Sequence, residues 1–199
     1  VFIQILVLAV IAAVVLYQLY ATLGRRVGRG PEDEPVPAKA GAPAATTIEP
    51  VAAGRLEGVA ALRARQPDFD PARFLNGARS AYEMIVKAFA AGERETLKPL
   101  LADDVMANFE AAIVAREAEG RTEKVEFQVP PRVDLESVAV EGDIARAVVR
   151  ILAEVRARSV SAAGEAVDDR RTAELWTFER DLKSSNPNWT LVHVGAAEA

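Results

Sequence analysis

The sequence predicts an α+β domain, an antiparallel sheet with helices packed on one face. Two observations carry this. From Arg55 to Gly120 apolar residues recur at three- and four-residue spacings, and after Gly120 the period drops to two. Turn chemistry separates the blocks, chiefly at Pro67, Gly92 and Glu141-Gly142-Asp143. Helices first and strands second give segregated layers, not alternating β-α-β units.

The elements follow in order. Arg55 to Gln66 reads as a short helix with Leu56, Val59, Ala60 and Leu62 on its apolar side, ended by Pro67. Asp68-Phe69-Asp70-Pro71 starts the next helix: the Asp70 carboxylate can accept from orphan amides, and Pro71 suits the first helical position. Phe74, Leu75, Ala78, Ala81, Tyr82, Ile85, Val86 and Phe89 form its apolar stripe, and Gly92 ends it. Arg94 to Leu101 is a shorter helix, and Asp103 or Asp104 caps another running from Val105 to Glu119. Strands are expected from Val125 to Val129, Leu135 to Val140, Ile144 to Arg158, Arg171 to Arg180 and Trp189 to Val194, joined as a meander. Pro130-Pro131 breaks the first or sets it at an edge.

The third strand separates its faces. Ala145, Ala147, Val149, Ile151, Ala153, Val155 and Ala157 lie on one side, small and apolar enough to sit under helices. Arg146, Arg150, Arg156 and Arg158 lie on the other among aliphatics. That second face is either a solvated surface laced with cross-strand ion pairs or a basic surface for acidic headgroups or an acidic partner.

Ahead of the domain the chemistry changes twice. Residues 1–23 are almost wholly apolar, and about 20 apolar residues suffice to span a bilayer. Tyr17 and Tyr20 stand where an interfacial belt belongs, and Arg25, Arg26 and Arg29 follow directly. The segment is expected to be a single transmembrane anchor with the C-terminal part on the cytoplasmic side. The alternative is a signal peptide, whose apolar core is shorter and whose charges come first. Residues 24–54 carry Pro31, Pro35, Pro37, Pro43 and Pro50 with Ala, Gly and an acidic cluster at Glu32-Asp33-Glu34. They read as a disordered linker, either a working leash or a passive spacer. Residues 55–199 are the folded domain.

Composition narrows the chemistry. The net charge of −5 opposes general nucleic-acid binding. The 199 residues contain no cysteine and one histidine, which excludes thiolate chemistry and histidine-rich metal sites. No metal or cofactor is expected. An enzyme would have to use His193 as its acid or base, yet no carboxylate or tyrosine pairs with it convincingly in the sequence. His193 alternates with Trp189 and Leu191 and is expected to share their face; Phe89, Trp176, Phe178 and His193 are the candidate lining of a ligand pocket. Asp168 and Asp169 read as loop charges.

Several stretches resemble one family. They are Asp68-Phe69-Asp70-Pro71, Phe74-Leu75-Asn76-Gly77-Ala78, Tyr82-Glu83-Met84-Ile85-Val86 and Leu97-Lys98-Pro99-Leu100-Leu101, then Trp176-Thr177-Phe178-Glu179-Arg180-Asp181 and Asn186-Pro187-Asn188-Trp189. In this order they resemble the Tim44 family, named for the import-motor anchor of the mitochondrial inner-membrane translocase; the bacterial members are of the TimA type. The resemblance covers about Arg55 to Val194. It implies a cone of the nuclear-transport-factor-two kind, a curved antiparallel sheet and helices around an apolar pocket. It also implies inner-membrane association, with membrane lipids and membrane or translocation-associated proteins as partners, a chaperone among them. The family's motor-scaffold role rests on a long N-terminal region that this sequence does not match, so only the domain and the membrane association carry over. The expected function is that of a non-catalytic adaptor. The alternatives are a domain holding a small apolar ligand, or an enzyme using His193.

Overall fold

The computed structural model describes residues 50–197. The expected anchor, with Tyr17, Tyr20, Arg25, Arg26 and Arg29, and all of the expected linker up to residue 49 lie outside the described residues. Among the described residues no helix is long and apolar enough to cross a membrane.

Four helices precede five strands: α1 (Pro50–Arg65), α2 (Pro71–Ala91), α3 (Arg94–Leu97), α4 (Asp103–Ala118), β1 (Thr122–Phe127), β2 (Arg132–Glu141), β3 (Ile144–Ser161), β4 (Gly164–Asp181) and β5 (Thr190–Ala196). Helix α1 begins at Pro50, five residues before the sequence expectation. Helix α2 has the expected bounds. The Asp70 carboxylate accepts the Ala72 N–H at 2.9 Å. Gly92 closes the helix at φ 74°, a conformation that costs a residue without a β-carbon nothing. At α4 the cap position is Ala102, with no side-chain bond; Asp103 and Asp104 instead occupy the first turn, where negative charge complements the helix dipole.

The sheet is antiparallel throughout, but it is not the expected simple meander. β3 is its spine. β1 pairs with β3 from Val155 to Val160, and β2 pairs with β3 from Ile144 to Leu152, so the two share one edge of β3 end to end. Pro130 and Pro131 sit at the break between them, where a residue without an N–H cannot continue a ladder. β4 covers the other edge of β3 along its full length, and β5 pairs with β4 only from Glu174 to Glu179. β4 starts seven residues before the expected Arg171, because Gly164 at φ 120° closes a tight turn at Ala162-Ala163. Asp168 and Asp169 therefore belong to a strand, not a loop.

All helices lie against the expected apolar face of β3. Ala145, Ala147, Val149 and Ile151 are completely buried there. The main core packs Tyr82, Ile85, Ala88, Leu97, Leu101 and Ile113 on Val149, Ile151, Trp176, Phe178 and Leu191. A second cluster joins Leu62 and Phe69 to Leu135, Val138, Ala145 and Ala147, with Trp189 partly buried beside it. Burying a large apolar side chain contributes roughly 1.5–3 kcal/mol, so α1 is held mainly by Leu62 and its neighbours.

The opposite face is the ion-pair surface. Arg146 pairs with Glu179 (2.8 Å) and Glu141 (2.9 Å), Arg150 with Glu136, Arg156 with Asp169 and Arg158 with Glu165. The arginines are neutralised by cross-strand and neighbouring carboxylates, so this face is not a basic patch. Each such exposed pair contributes about 0–1 kcal/mol, and their joint effect is to fix register.

Candidate functional site

The four residues expected to line a pocket do not converge. Trp176 and Phe178 are 2 % and 3 % exposed and form the centre of the core. The Trp176 ring lies 4.8 Å from that of Tyr82, and Phe178 lies 6.1 Å from Phe74. Phe89 stacks edge-on against Phe109 at 4.9 Å, with the Arg116 guanidinium 5.1 Å from its centroid. His193 is exposed.

The position of His193 has a definite cause. β4 and β5 slip by one residue between Thr177 and Phe178, so Phe178 pairs with Leu191 while Thr177 pairs with His193. Val192 is the extra residue, and a bulge of one residue reverses the alternation beyond it. Leu191 and Val194 thus take the core side and His193 the outer side, opposite Thr177. Leu191 and His193 do not share a face as the sequence suggests. The imidazole lies over Gly195, where an added β-carbon would be 3.4 Å from Nε2. No described carboxylate is paired with His193, and it does not line the cleft between α2 and β1. An enzyme built on His193 loses its geometric premise.

A half-buried polar cluster stands at the edge of the core. The Glu174 carboxylate accepts from Trp176 Nε1 at 2.7 Å and from the Tyr82 hydroxyl at 3.3 Å. Tyr82 also lies 3.3 Å from the Thr172 hydroxyl. Burial, reinforced by the Glu174 charge, pushes the Tyr82 phenol up to about 12, against the opposing hydrogen bond with Thr172. The sign is that of a folded-state pKa raised above the unfolded one. The stabilisation is complete below pH about 10 and is lost as pH rises towards about 12, roughly 2–3 kcal/mol in all. Alkaline titration followed by tyrosinate absorbance should show Tyr82 ionising late, together with unfolding. Glu174→Gln should move the step to lower pH.

A concavity lies elsewhere. A cleft of about 730 Å³ opens between the second half of α2 and β1. Helix α2 contributes Glu83, Met84, Lys87, Ala88 and Ala91, positions that share one helix face. β1 contributes every residue from Glu123 to Phe127, and the connection after it adds Gln128, Val129 and Pro130. Consecutive strand residues point to opposite faces, so an unbroken run can line one cleft only if the cleft meets the strand edge-on. β1 pairs with β3 alone, and among the described residues no strand covers its other side.

Backbone direction along that edge follows from one bond. The Gln128 N–H donates to the Glu154 carbonyl of β3 at 2.9 Å. By the alternation of an antiparallel pair, Lys124 and Glu126 also face β3, while the N–H and C=O groups of Glu123, Val125 and Phe127 point to the cleft. Met84 and Val129 stand on the rim, 47 % and 50 % exposed. The Lys87 ammonium lies 5.5 Å from the Phe127 ring centroid. Lys124 pairs with Glu126 at 3.1 Å and holds that carboxyl below its ordinary range. Buried Arg116 reaches Glu123 at 3.3 Å and donates to the Phe89 carbonyl at 2.6 Å. Sequence reasoning missed this cleft. Its signal was slight: Met84 lies off the apolar stripe of α2, and Val129 is an apolar residue just before the prolines.

Comparison with known proteins gives three findings. The family model described as Tim44-like domain matches residues 56–196. No curated protein matches the chain. Among solved structures, the intermembrane space region of the chloroplast protein ARC6 is similar at 16 % identity and TM-score 0.50, over 63 % of this chain and 97 % of that one. A conserved protein from Planctomyces limnophilus is 18 % identical over 60 % of this chain and 94 % of that one, at TM-score 0.38. The first of these supports the fold alone.

Proposed function

Because the chain belongs to the Tim44-like domain family, we propose that it is a membrane-anchored, non-catalytic adaptor. In this reading residues 1–23 hold the chain in the inner, cytoplasmic membrane as a single pass, residues 24–49 are the tether up to the start of α1, and the domain works on the cytoplasmic side. Its partners are membrane lipids and membrane or translocation-associated proteins, a chaperone among them, in protein translocation or membrane-protein handling. The domain is a cone of the nuclear-transport-factor-two kind.

The observation that carries this reading is the family match across nearly the whole described domain. The chemistry supports it: the lone histidine is solvent-facing, the arginine surface is internally neutralised, and the cleft between α2 and β1 joins apolar side chains to open backbone groups. Such a cleft suits binding better than proton transfer.

Photocrosslinking in native membranes, read by mass spectrometry, tests it. The expected result is a chain that resists alkaline extraction and gives adducts from residues 56–196 to lipid or membrane protein. A chain released by alkali, with no such adducts, would rule the adaptor reading out. A reporter active only outside the cytoplasm, fused to the C-terminus, should stay inactive.

A further inference from the structure

We infer that the cleft between α2 and β1 binds an extended, basic and apolar peptide segment of a partner protein, which adds to the sheet as a strand beside β1. The inference rests on the adaptor reading and names the class of partner at one site.

Three observations converge. The first is the open edge. Glu123, Val125 and Phe127 present their N–H and C=O groups to the cleft, the repeat needed to pair with an added strand. Edge strands are normally blunted by being short, by proline or by charge. Here the prolines come only after Val129, and the strand ahead of them keeps its backbone groups open; its guard is charge, Glu123, Lys124 and Glu126, which selects among partners. The second is the wall. α2 stands alongside at a distance that leaves about 730 Å³, so an entering strand would meet Met84 and Ala91 on one side while bonding to β1 on the other. An edge alone would attract any strand; an edge facing a helix that mixes Met84 and Ala91 with Glu83 and Lys87 selects one that alternates apolar and charged side chains.

The third is charge. The lining holds four carboxylates, Glu83, Glu93, Glu123 and Glu126, against the ammonium groups of Lys87 and Lys124. Arg116 beneath Glu123 brings the balance to one net negative charge. This decides among occupants. An anionic lipid headgroup is repelled. A second copy of this chain would bring in β1, whose Glu123, Lys124 and Glu126 sum to one negative charge, against a cleft of the same sign. A strand alternating valine-like and lysine-like residues satisfies both the rim and the edge.

The test uses the full chain in neutral-detergent micelles and fluorescence anisotropy with labelled peptides. The probe is a peptide of about six residues, a usual strand length, alternating valine and lysine. Two controls accompany it: the same peptide with glutamate for lysine, and the lysine peptide N-methylated at alternate amides. Saturable binding is expected for the first alone. Glu83→Lys with Glu126→Lys should weaken it about tenfold, since rim charges steer and select. Glu126 is exposed and Glu83 half-buried, and an unchanged circular dichroism spectrum confirms the fold. No binding of the lysine peptide, equal binding of the methylated peptide, or affinity unchanged by the double substitution each overturns the inference. So does uptake of a monomeric phospholipid probe in place of the peptide. Membrane adducts that persist while the peptide fails would remove this inference and leave the adaptor reading standing. Peptide binding without any membrane association would do the reverse.

Discussion

Trp176→Ala is expected to destabilise the domain by about 3–5 kcal/mol, the range for removing a large aromatic from a packed core. The side chain is 2 % exposed and touches both layers of the fold: its ring lies 4.8 Å from Tyr82 on α2 and 6.2 Å from Phe178 on its own strand. Alanine leaves a void beneath α2 that its neighbours, at full packing, cannot fill. It also strips Glu174 of its closest donor, the indole N–H at 2.7 Å, and leaves the carboxylate with Tyr82 at 3.3 Å. Trp176→Phe separates these effects. It keeps most of the apolar volume and loses the N–H, for an expected cost of about 1–2 kcal/mol. Urea unfolding of the full chain, followed by circular dichroism and by the remaining Trp189 fluorescence, measures both. Equal losses for the two variants would mean that the hydrogen bond, not the ring, dominates. A loss below 1 kcal/mol for the alanine variant would contradict the core position altogether.

The same residue explains why the sequence was only half legible here. Trp176 and Phe178 carry the right period for a buried strand, and both are buried; a sequence cannot say whether an aromatic lines a cavity or fills it. In this chain Tyr82, Ile85 and Leu97 fill the space. Helix α2 was legible to the residue because Asp70, Pro71 and Gly92 each act through local backbone chemistry. The first half of β4 was not, because periodicity reports burial and this stretch, Gly164 to Arg171, is exposed on both faces. Its pairing is written in charge: Glu165 with Arg158, Asp169 with Arg156 and Arg171 with Glu154. His193 was misplaced by one residue's worth of bulge, an event with no sequence signature. The cleft joins Glu83 and Met84 to residues forty positions later, and nothing short of the fold brings them together.

Gly58→Ala should dislodge α1, and the argument turns on which atom stands in the way. In an ordinary exposed helix this substitution stabilises by up to about 1 kcal/mol, because alanine has the lower entropic cost. At Gly58 a β-carbon would overlap the Val138 carbonyl oxygen and come within 2.7 Å of its carbon. Both are backbone atoms of β2, whose Val138 is paired with Ala147 in the sheet, so the strand cannot yield without breaking its ladder. The helix must move instead. Its hold is Leu62, completely buried, with Arg65 donating to the Gly142 carbonyl (2.8 Å) and pairing with Asp143 at 2.6 Å. Lifting Leu62 out of its seat outweighs the helical gain, for an expected net loss of about 2–4 kcal/mol. Gly77→Ala is the matched control. Gly77 lies in α2 with nothing within 4 Å of its added β-carbon, so the same chemical change should stabilise by about 1 kcal/mol. Opposite signs at the two glycines, measured in one denaturation series, are the result that a backbone-tight seat for α1 requires. Two stabilising substitutions would mean that α1 does not rest on β2 in solution.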